Sequence, residues 1–71
     1  MNFEEMIARL EAGLTIIENT DGDLSVLAHS YMVAVPGADK DNYSDSDIEE
    51  LQDDLGWSWS DDFGWVFPCL S

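Results

Sequence analysis

The residues of this chain that could take part in chemistry are mostly carboxylates, and they are concentrated in one segment. "DSDIEELQDD", residues 45–54, holds six acidic residues and no basic one. A pair such as Asp61 and Asp62 carries the groups that general acid–base catalysis needs. In a chain with 16 acidic residues, however, adjacent acids are expected from composition alone. The pairing therefore does not predict acid–base catalysis.

Nucleophilic catalysis would depend on His29, because it is the only histidine. The nucleophile would have to be Ser25 or Ser30, with His29 as its base and an acidic residue to orient the histidine. The spacing of these residues does not indicate such a set. A single histidine in an apolar segment is more typical of a structural residue. The sequence also lacks a glycine-rich phosphate-binding loop. We therefore predict no enzymatic activity and no cofactor.

A calcium site is the better small-ligand candidate, and residues 39–50, "DKDNYSDSDIEE", are where it would lie. Five acids stand at positions that carry ligands in an EF-hand loop: Asp39, Asp41, Asp45, Asp47 and Glu50. Tyr43 replaces a further ligand, and Ser44 replaces the glycine on which the turn of that loop depends. We expect weak calcium binding and no specific metal site.

Net charge restricts the class of partner. Sixteen acidic residues against Arg9 and Lys40 give a formal charge of −14. Direct binding to nucleic acid is excluded, because no basic patch exists that could release counterions from phosphates. Acidic chains with few aromatic residues are usually disordered, but this one is 45% hydrophobic and has three tryptophans. The composition therefore predicts a folded core despite charge repulsion.

Length and cysteine content indicate a single small domain over residues 1–71. Cys69 is the only cysteine, so an internal disulfide or a closed zinc site is excluded. Glu4 and Glu5 stand where a secretory signal would be basic. The apolar runs are too short to span a bilayer. We predict a cytoplasmic protein that does not bind membranes.

The first segment, Asn2 to Glu11, is predicted to be a helix. Asn2 and Glu5 have the spacing of a capping box, and Gly13 is the expected C-terminal stop. One face of this helix would carry the apolar side chains of Phe3, Met6, Ile7 and Leu10.

A β-hairpin is predicted next. The β-branched run of residues 15–17 favours a strand, and the dipeptide Asp21-Gly22 is a strong hairpin-turn signal. Val33 and Val35 before Pro36 favour a second strand. Residues 24–34 also fit a helical period through Leu24, Leu27, Ala28 and Tyr31, so a helix remains the alternative there.

The second half predicts a helix followed by another hairpin. Ser46 and Glu49 have the spacing of a capping box that opens the helix, and Gly56 closes it. At 100° per residue, Ile48, Leu51 and Leu55 form a narrow apolar stripe. The opposite side of this helix is predicted to carry four carboxylates, those of Glu49, Glu50, Asp53 and Asp54. Trp57/Trp59 and Trp65/Phe67 then alternate on two strands joined across residues 60–64. The predicted fold is α+β, in the order α-β-β-α-β-β, with helices on one face of an antiparallel sheet.

Eight carboxylates form what we call the acidic face, which comprises the second helix and the turn after it. It consists of Asp45, Asp47, Glu49, Glu50, Asp53, Asp54, Asp61 and Asp62. One hypothesis is that these acids only keep a small hydrophobic domain soluble. The other is that they imitate nucleic acid and occupy a Lys/Arg-rich groove of a nucleic-acid-binding protein. A charge of −14 exceeds the roughly 2–8 units that solubility needs, and this favours the second hypothesis.

The order of elements and the acidic second helix resemble the small phage-encoded inhibitors, including anti-CRISPR proteins that act as DNA mimics. "SDSDIEELQDDLGWSWSDDFGWVF", about a third of the chain, also resembles a recurrent C-terminal segment of small phage and prophage proteins. The resemblance implies a protein target such as a CRISPR-Cas effector complex. It assigns no site residues, because anti-CRISPR proteins share no common motif.

The aromatic residues of the last hairpin are predicted to be core, because a domain this small needs large side chains to bury enough apolar area. One of the three tryptophans is expected to be partly exposed beside Asp61 and Asp62, since interfaces favour tryptophan as an anchor. This leaves an alternative function, that of a small phage-type regulatory or structural protein that binds another host protein through an aromatic surface.

Overall fold

A computed structural model of the 71-residue chain describes residues 2–22, 24–28 and 32–68. The expectations for His29 and Cys69 lie outside the described residues. The described elements are helix α1 (Phe3–Asp21), strands β1 (Leu27–Ala28) and β2 (Met32–Val35), a 3-10 turn (Lys40–Asn42), helix α2 (Asp45–Glu49) continued by a π-helical turn (Glu50–Asp54), and strands β3 (Ser58–Ser60) and β4 (Gly64–Pro68). None of the described helices has both the length and the apolar character needed to cross a bilayer.

Helix α1 begins as predicted but is much longer. The Asn2 side chain accepts a hydrogen bond from the backbone N–H of Glu5 at 2.8 Å and so caps the helix. The predicted stop at Gly13 is wrong, because the helix continues to Asp21. Its end is at Gly22, which has φ of 84° and donates its N–H to the Glu18 carbonyl. A positive φ of this kind is readily available only to glycine.

The predicted strand over residues 15–17 is also wrong, because these residues belong to α1. These residues are helical despite their β propensity because tertiary packing outweighs that propensity. Ile17 is only 2% exposed in the core, while the Thr15 hydroxyl donates to the Glu11 carbonyl at 3.0 Å. Asp21-Gly22 is therefore a helix terminus and not a hairpin turn. The hairpin of the first half lies further along the chain and is formed by β1 and β2.

Gly13 has a packing role. The indole of Trp57 lies against it so closely that a Cβ at Gly13 would overlap the ring. The Trp57 Nε1–H also donates to the Arg9 carbonyl, one turn earlier in α1, at 3.3 Å. Glycine at this position is a notch that lets an aromatic ring approach the helix backbone.

The four strands form one antiparallel sheet in the order β1-β2-β4-β3, so that the two hairpins meet along β2 and β4. One row of the register joins Leu27, Ala34, Val66 and Ser58 across all four strands. A β-bulge places both Gly64 and Trp65 opposite Val35. Gly64 has φ of 69°, and any Cβ there would overlap the Val35 carbonyl, so this bulge requires glycine.

Both helices contribute to one core on one face of the sheet. Val35, Trp65 and Phe67 supply the sheet side of this core. Ile17 from α1 and Leu51 from the π-helical turn pack against the same cluster, together with Tyr43 and Trp57. The predicted α+β fold and its α-β-β-α-β-β order are confirmed. Residues 27–28 and 32–34 are strand and none of the described residues in 24–34 is helical, so the helical alternative is wrong there, although the strand pairing differs from the predicted hairpin.

The predicted core face of α1 is only partly correct. Met6 and Leu10 pack against the core as expected. Phe3, however, is 72% exposed. A period of 100° per residue places Phe3 near the core direction, but it is the first residue of α1 and the N-terminal end of the helix leaves it exposed.

Replacing Gly13 by alanine tests the packing notch. In an unobstructed helix this change is stabilising by about 1 kcal/mol. Here we expect the opposite sign, a loss of about 1–3 kcal/mol in the free energy of unfolding, because the new methyl group must displace Trp57. Urea unfolding measures the difference.

The matched control is Ala8→Gly at an exposed position of the same helix, which we expect to cost only the propensity difference of about 1 kcal/mol. A Gly13→Ala protein more stable than wild type would contradict the notch.

Candidate functional site

The helix that carries the acidic face begins at Asp45 and is capped by Ser44. The Ser44 hydroxyl accepts a hydrogen bond from the backbone N–H of Asp47 at 3.1 Å, and its carbonyl accepts from Ile48 at 3.0 Å. The predicted cap at Ser46 is wrong, because Ser44 has the extended backbone (φ −73°, ψ 159°) that an N-cap needs whereas Ser46 is already helical. Asp45 and Asp47 lie in the first turn, where the helix dipole favours negative charge.

The second half of this helix is a π-helical turn, which sequence reasoning did not predict. The N–H of Leu55 donates to the Glu50 carbonyl at 2.9 Å, five residues back. The predicted end at Gly56 is confirmed: its φ is 77°, and the next N–H, of Trp57, donates to the Leu51 carbonyl at 2.7 Å. This closing bond resembles a Schellman motif.

The predicted separation of apolar and acidic sides holds across the π-helical turn. Leu51 is completely buried, and Ile48 and Leu55 are partly buried against the core. The four carboxylates assigned to the far side are all exposed: Glu49, Glu50, Asp53 and Asp54. A buried leucine thus fixes the rotation of the helix and the direction of its charges.

Of the eight residues of the acidic face, seven are exposed and Asp47 is half-buried. Asp61 and Asp62 lie in the turn between β3 and β4. The Ser60 hydroxyl accepts from the backbone N–H groups of Asp62 and Phe63, both at 3.3 Å, and so holds this turn. The turn that carries Asp61 and Asp62 is close in sequence to the acidic helix. Between them lie only a short link and the three residues of β3.

Trp59 is the partly exposed tryptophan that the sequence predicts beside this turn. It is half-buried, and its Nε1–H donates to the Asp61 carboxylate at 3.3 Å. Trp57 and Trp65 are buried. Trp59 stacks edge-on against Trp65 with ring centroids 5.3 Å apart, so the core supports the acidic turn directly.

The loop that leads into α2 is anchored to the end of α1 by Asp21, a role that sequence reasoning missed. The Asp21 carboxylate accepts hydrogen bonds from the backbone N–H of Asp39, at 3.2 Å, and from the side-chain amide of Asn42. Partial burial acts to raise the pKa of Asp21, but the nearby Tyr43 hydroxyl and the hydrogen bonds from Asn42 and Asp39 outweigh it, and the pKa lies below its ordinary value. No local signal marks this contact, because the partners are 18 and 21 positions apart.

Tyr43 completes this anchor. Its ring is buried and lies edge-on to Trp65, with centroids 5.5 Å apart. Its buried hydroxyl has no hydrogen-bond partner among the described residues and lies near the Asp21 carboxylate. Burial, followed by the nearby Asp21 charge, raises the pKa of the Tyr43 hydroxyl. The tyrosine is therefore held in its neutral form.

The charges of the acidic face have no cation among them. Residues 45–63 contain no lysine or arginine. Arg9 lies exposed on α1, and Lys40 is half-buried in the 3-10 turn before α2. Within the described part of the chain, no group of three or more histidine, cysteine or acidic side chains is arranged to hold a metal ion. The acidic face is therefore a negative surface without an intervening cation.

Comparisons of the chain with protein-family models, with curated proteins and with solved structures found no match.

Calcium is expected to have little effect on stability. Asp45, Asp47 and Glu50 lie on a helix instead of in a coordinating loop, so we expect dissociation constants no tighter than about 1 mM. At about 1 mM calcium, binding then stabilises the fold by at most about 0.4 kcal/mol, a shift of about 2–3 °C in the melting temperature. Magnesium at equal concentration controls for screening. A saturable shift at micromolar calcium would instead identify a calcium-binding protein.

Asp21→Asn tests the anchor of the loop. At pH 7 we expect this variant to be less stable than Glu18→Gln by about 1 kcal/mol, because it weakens the charged hydrogen bonds at the end of α1. Glu18→Gln is the matched control: it removes the same charge from the same last turn.

Because the folded pKa of Asp21 lies below the ordinary 3.8, its stabilisation is present above pH 3.8 and is lost as the pH falls through the folded pKa. The difference between the two variants, measured by urea unfolding at decreasing pH, should therefore disappear in acid. A difference that persists unchanged below about pH 2 would contradict this account.

Proposed function

We propose that this protein is a non-enzymatic inhibitor that binds a nucleic-acid-handling protein through its acidic face and blocks access of nucleic acid. The target that we favour is a CRISPR-Cas effector complex, and we propose that the inhibitor binds it in the cytoplasm of a host cell. The observation that supports the proposal is the concentration of exposed carboxylates on one capped helix and the adjacent turn, without an intervening cation.

The density of charge along the helix is comparable to that of DNA. Residues 45–54 extend over at most about 14 Å, the length that ten residues have at the α-helical rise of about 1.5 Å per residue. Their six acids give one negative charge per roughly 2.3 Å. DNA carries one phosphate per roughly 3.4 Å of axis on each strand and one per roughly 1.7 Å for the duplex. A groove that binds a phosphate backbone would therefore meet a similar charge density here.

The rigidity of the acidic helix also supports the proposal. Ser44 caps its start, Gly56 closes its end, and the fully buried Leu51 fixes its rotation. Charges held in place before binding lose less entropy on association than charges on a flexible segment. Complementary charge also accelerates encounter with a basic surface and makes it sensitive to salt.

A second candidate function is supported by two aromatic side chains at the acidic turn, those of Phe63 and Trp59. Phe63 is 45% exposed, and Trp59 next to the turn is half-buried. A small phage-type regulator could use these aromatic groups as an anchor for another host protein. Binding through aromatic burial would depend only weakly on salt, whereas binding through opposed charges weakens as screening increases.

Capture from a nuclease-treated bacterial lysate, followed by competition, tests the main proposal. We expect the immobilised protein to retain a nucleic-acid-binding protein that added DNA or RNA displaces, and whose affinity falls with increasing salt. For a purified RNA-guided effector, we expect loss of target-DNA binding. Recovery of only metabolic or membrane proteins would overturn the proposal, and a captured protein with salt-insensitive binding would favour the aromatic alternative.

Neutralising the helix separates binding from folding. The variant E49Q/E50Q/D53N/D54N changes the formal charge from −14 to −10. We expect unchanged or slightly higher stability, because like-charge repulsion is relieved. We expect affinity for the captured protein to fall at least about tenfold, or about 1.4 kcal/mol. Leu51→Ala leaves the charge unchanged but removes a fully buried side chain, so we expect it to cost about 2–5 kcal/mol of folding stability.

Two double variants provide a charge-matched comparison. E50Q/D53N lies on the acidic face, whereas E5Q/D41N removes the same charge from other exposed positions. We expect only the first to weaken binding substantially. Equal effects would mean that net charge, and not this face, determines binding.

A further inference from the structure

Helix α1 has a second apolar surface, which lies beside the side that packs on the core. Phe3 is 72% exposed, and together with Ile7 and Ala8 it lines a shallow hollow of about 280 Å³. Glu4 and Glu11 form the remaining walls of this hollow. Apolar patches rimmed by polar side chains are typical of interaction sites.

A second hollow lies at the other end of the same helix. Five apolar residues contribute to it: Leu14, Ile17, Leu24, Val26 and Val35. Its volume is about 150 Å³, and Glu18 lies on its wall. Val26 is 48% exposed, so the hollow is open to an incoming side chain. The two hollows place apolar surface near both ends of α1.

Acidic side chains accompany both hollows at a regular interval. Glu4, Glu11 and Glu18 are seven residues apart and all exposed. Seven residues return to the same side of an α-helix within about 20° and advance it by about 10 Å. The three carboxylates therefore form a row along the side of α1 that carries the hollows.

The contact positions along this side follow the spacing that helix pairs use. Positions 3, 7, 11, 14 and 18 are separated by three or four residues, as in the seam of a coiled coil. Their side chains are Phe, Ile, Glu, Leu and Glu. A helix lying along this seam would meet three apolar side chains and two glutamates.

We propose that this side of α1 is a docking surface for a basic amphipathic helix of a partner protein. Apolar side chains of that helix enter the two hollows, and its lysine or arginine residues lie opposite Glu4, Glu11 and Glu18. This is the helix-in-groove mode of recognition, with charge pairs setting register and orientation. The inference goes beyond the proposed function, because it uses α1 and does not depend on the acidic face of α2.

Charge decides between the possible occupants. A second copy of this chain would bring a formal charge of −14 against −14 and would lay glutamates near glutamates. An anionic membrane surface would be repelled in the same way. A helix with apolar and basic side chains satisfies the hollows and the glutamate row together.

The test uses a synthetic leucine/lysine peptide of about 18 residues, with leucines repeating at helical spacing. Its binding to the full chain is measured by fluorescence anisotropy. We expect E4Q/E11Q/E18Q to weaken binding at least about tenfold. The matched control E49Q/E50Q/D53N removes three charges from the acidic face and should change the affinity less than about twofold. Equal losses in both variants would overturn the proposal.

The apolar half of the proposal is tested separately. Phe3→Ser should weaken peptide binding at least about tenfold and leave the melting temperature nearly unchanged, because Phe3 is exposed in the folded protein. A scrambled peptide of identical composition should bind much more weakly to wild type. Equal binding of the scrambled peptide, or unchanged binding by Phe3→Ser, would overturn the docking surface.

Two further measurements decide against the other occupants. Sedimentation of wild type and Phe3→Ser should show the same mass, and binding to anionic phospholipid vesicles should be absent. Self-association abolished by Phe3→Ser would assign the surface to a second copy. Vesicle binding abolished by Phe3→Ser would assign it to a membrane. Either result would overturn the proposed docking surface on α1. Neither result would affect the test of the acidic face.

Discussion

The structure depends most on the position of Trp57. Its backbone N–H closes the acidic helix by donating to the Leu51 carbonyl, and its indole lies in the notch at Gly13 and donates to the Arg9 carbonyl. Its ring also packs against Phe67, with centroids 5.3 Å apart. One side chain thus joins the end of the acidic helix, the middle of α1 and the central strand β4. The direction in which the carboxylates point follows from this junction.

The second constraint is charge. A formal charge of −14 opposes compaction, because every approach of two carboxylates costs free energy. The described structure responds by placing aromatic rings inside and acids outside. Trp57, Trp65 and Phe67 are almost completely buried, while the acids of the second helix reach solvent. Burial of large rings offsets the repulsion that the surface creates.

Two surfaces of different character result from this arrangement. The acidic helix is short, capped at both ends and polar on its outer side, and these features are the basis of the proposed binding to a basic groove. Helix α1 is longer and carries apolar hollows beside a row of glutamates. The two proposals both invoke a positively charged partner, but the acidic face presents charge alone, whereas the side of α1 combines charge with apolar contact.

The sequence by itself determined the order of elements, the cap at Asn2, the end of the acidic helix at Gly56 and the side of that helix on which its acids lie. These depend on neighbours within a turn or two, so local spacing is sufficient to read them. The tertiary structure alone decided that α1 passes through Gly13 and residues 15–17, that Asp21 anchors a loop, and that Val35 faces a bulge. The physical reason is distance along the chain. Position 13 must be glycine because of Trp57, which lies 44 positions later in the sequence. Ile17 is helical because it is buried by a core that consists mainly of residues beyond position 33.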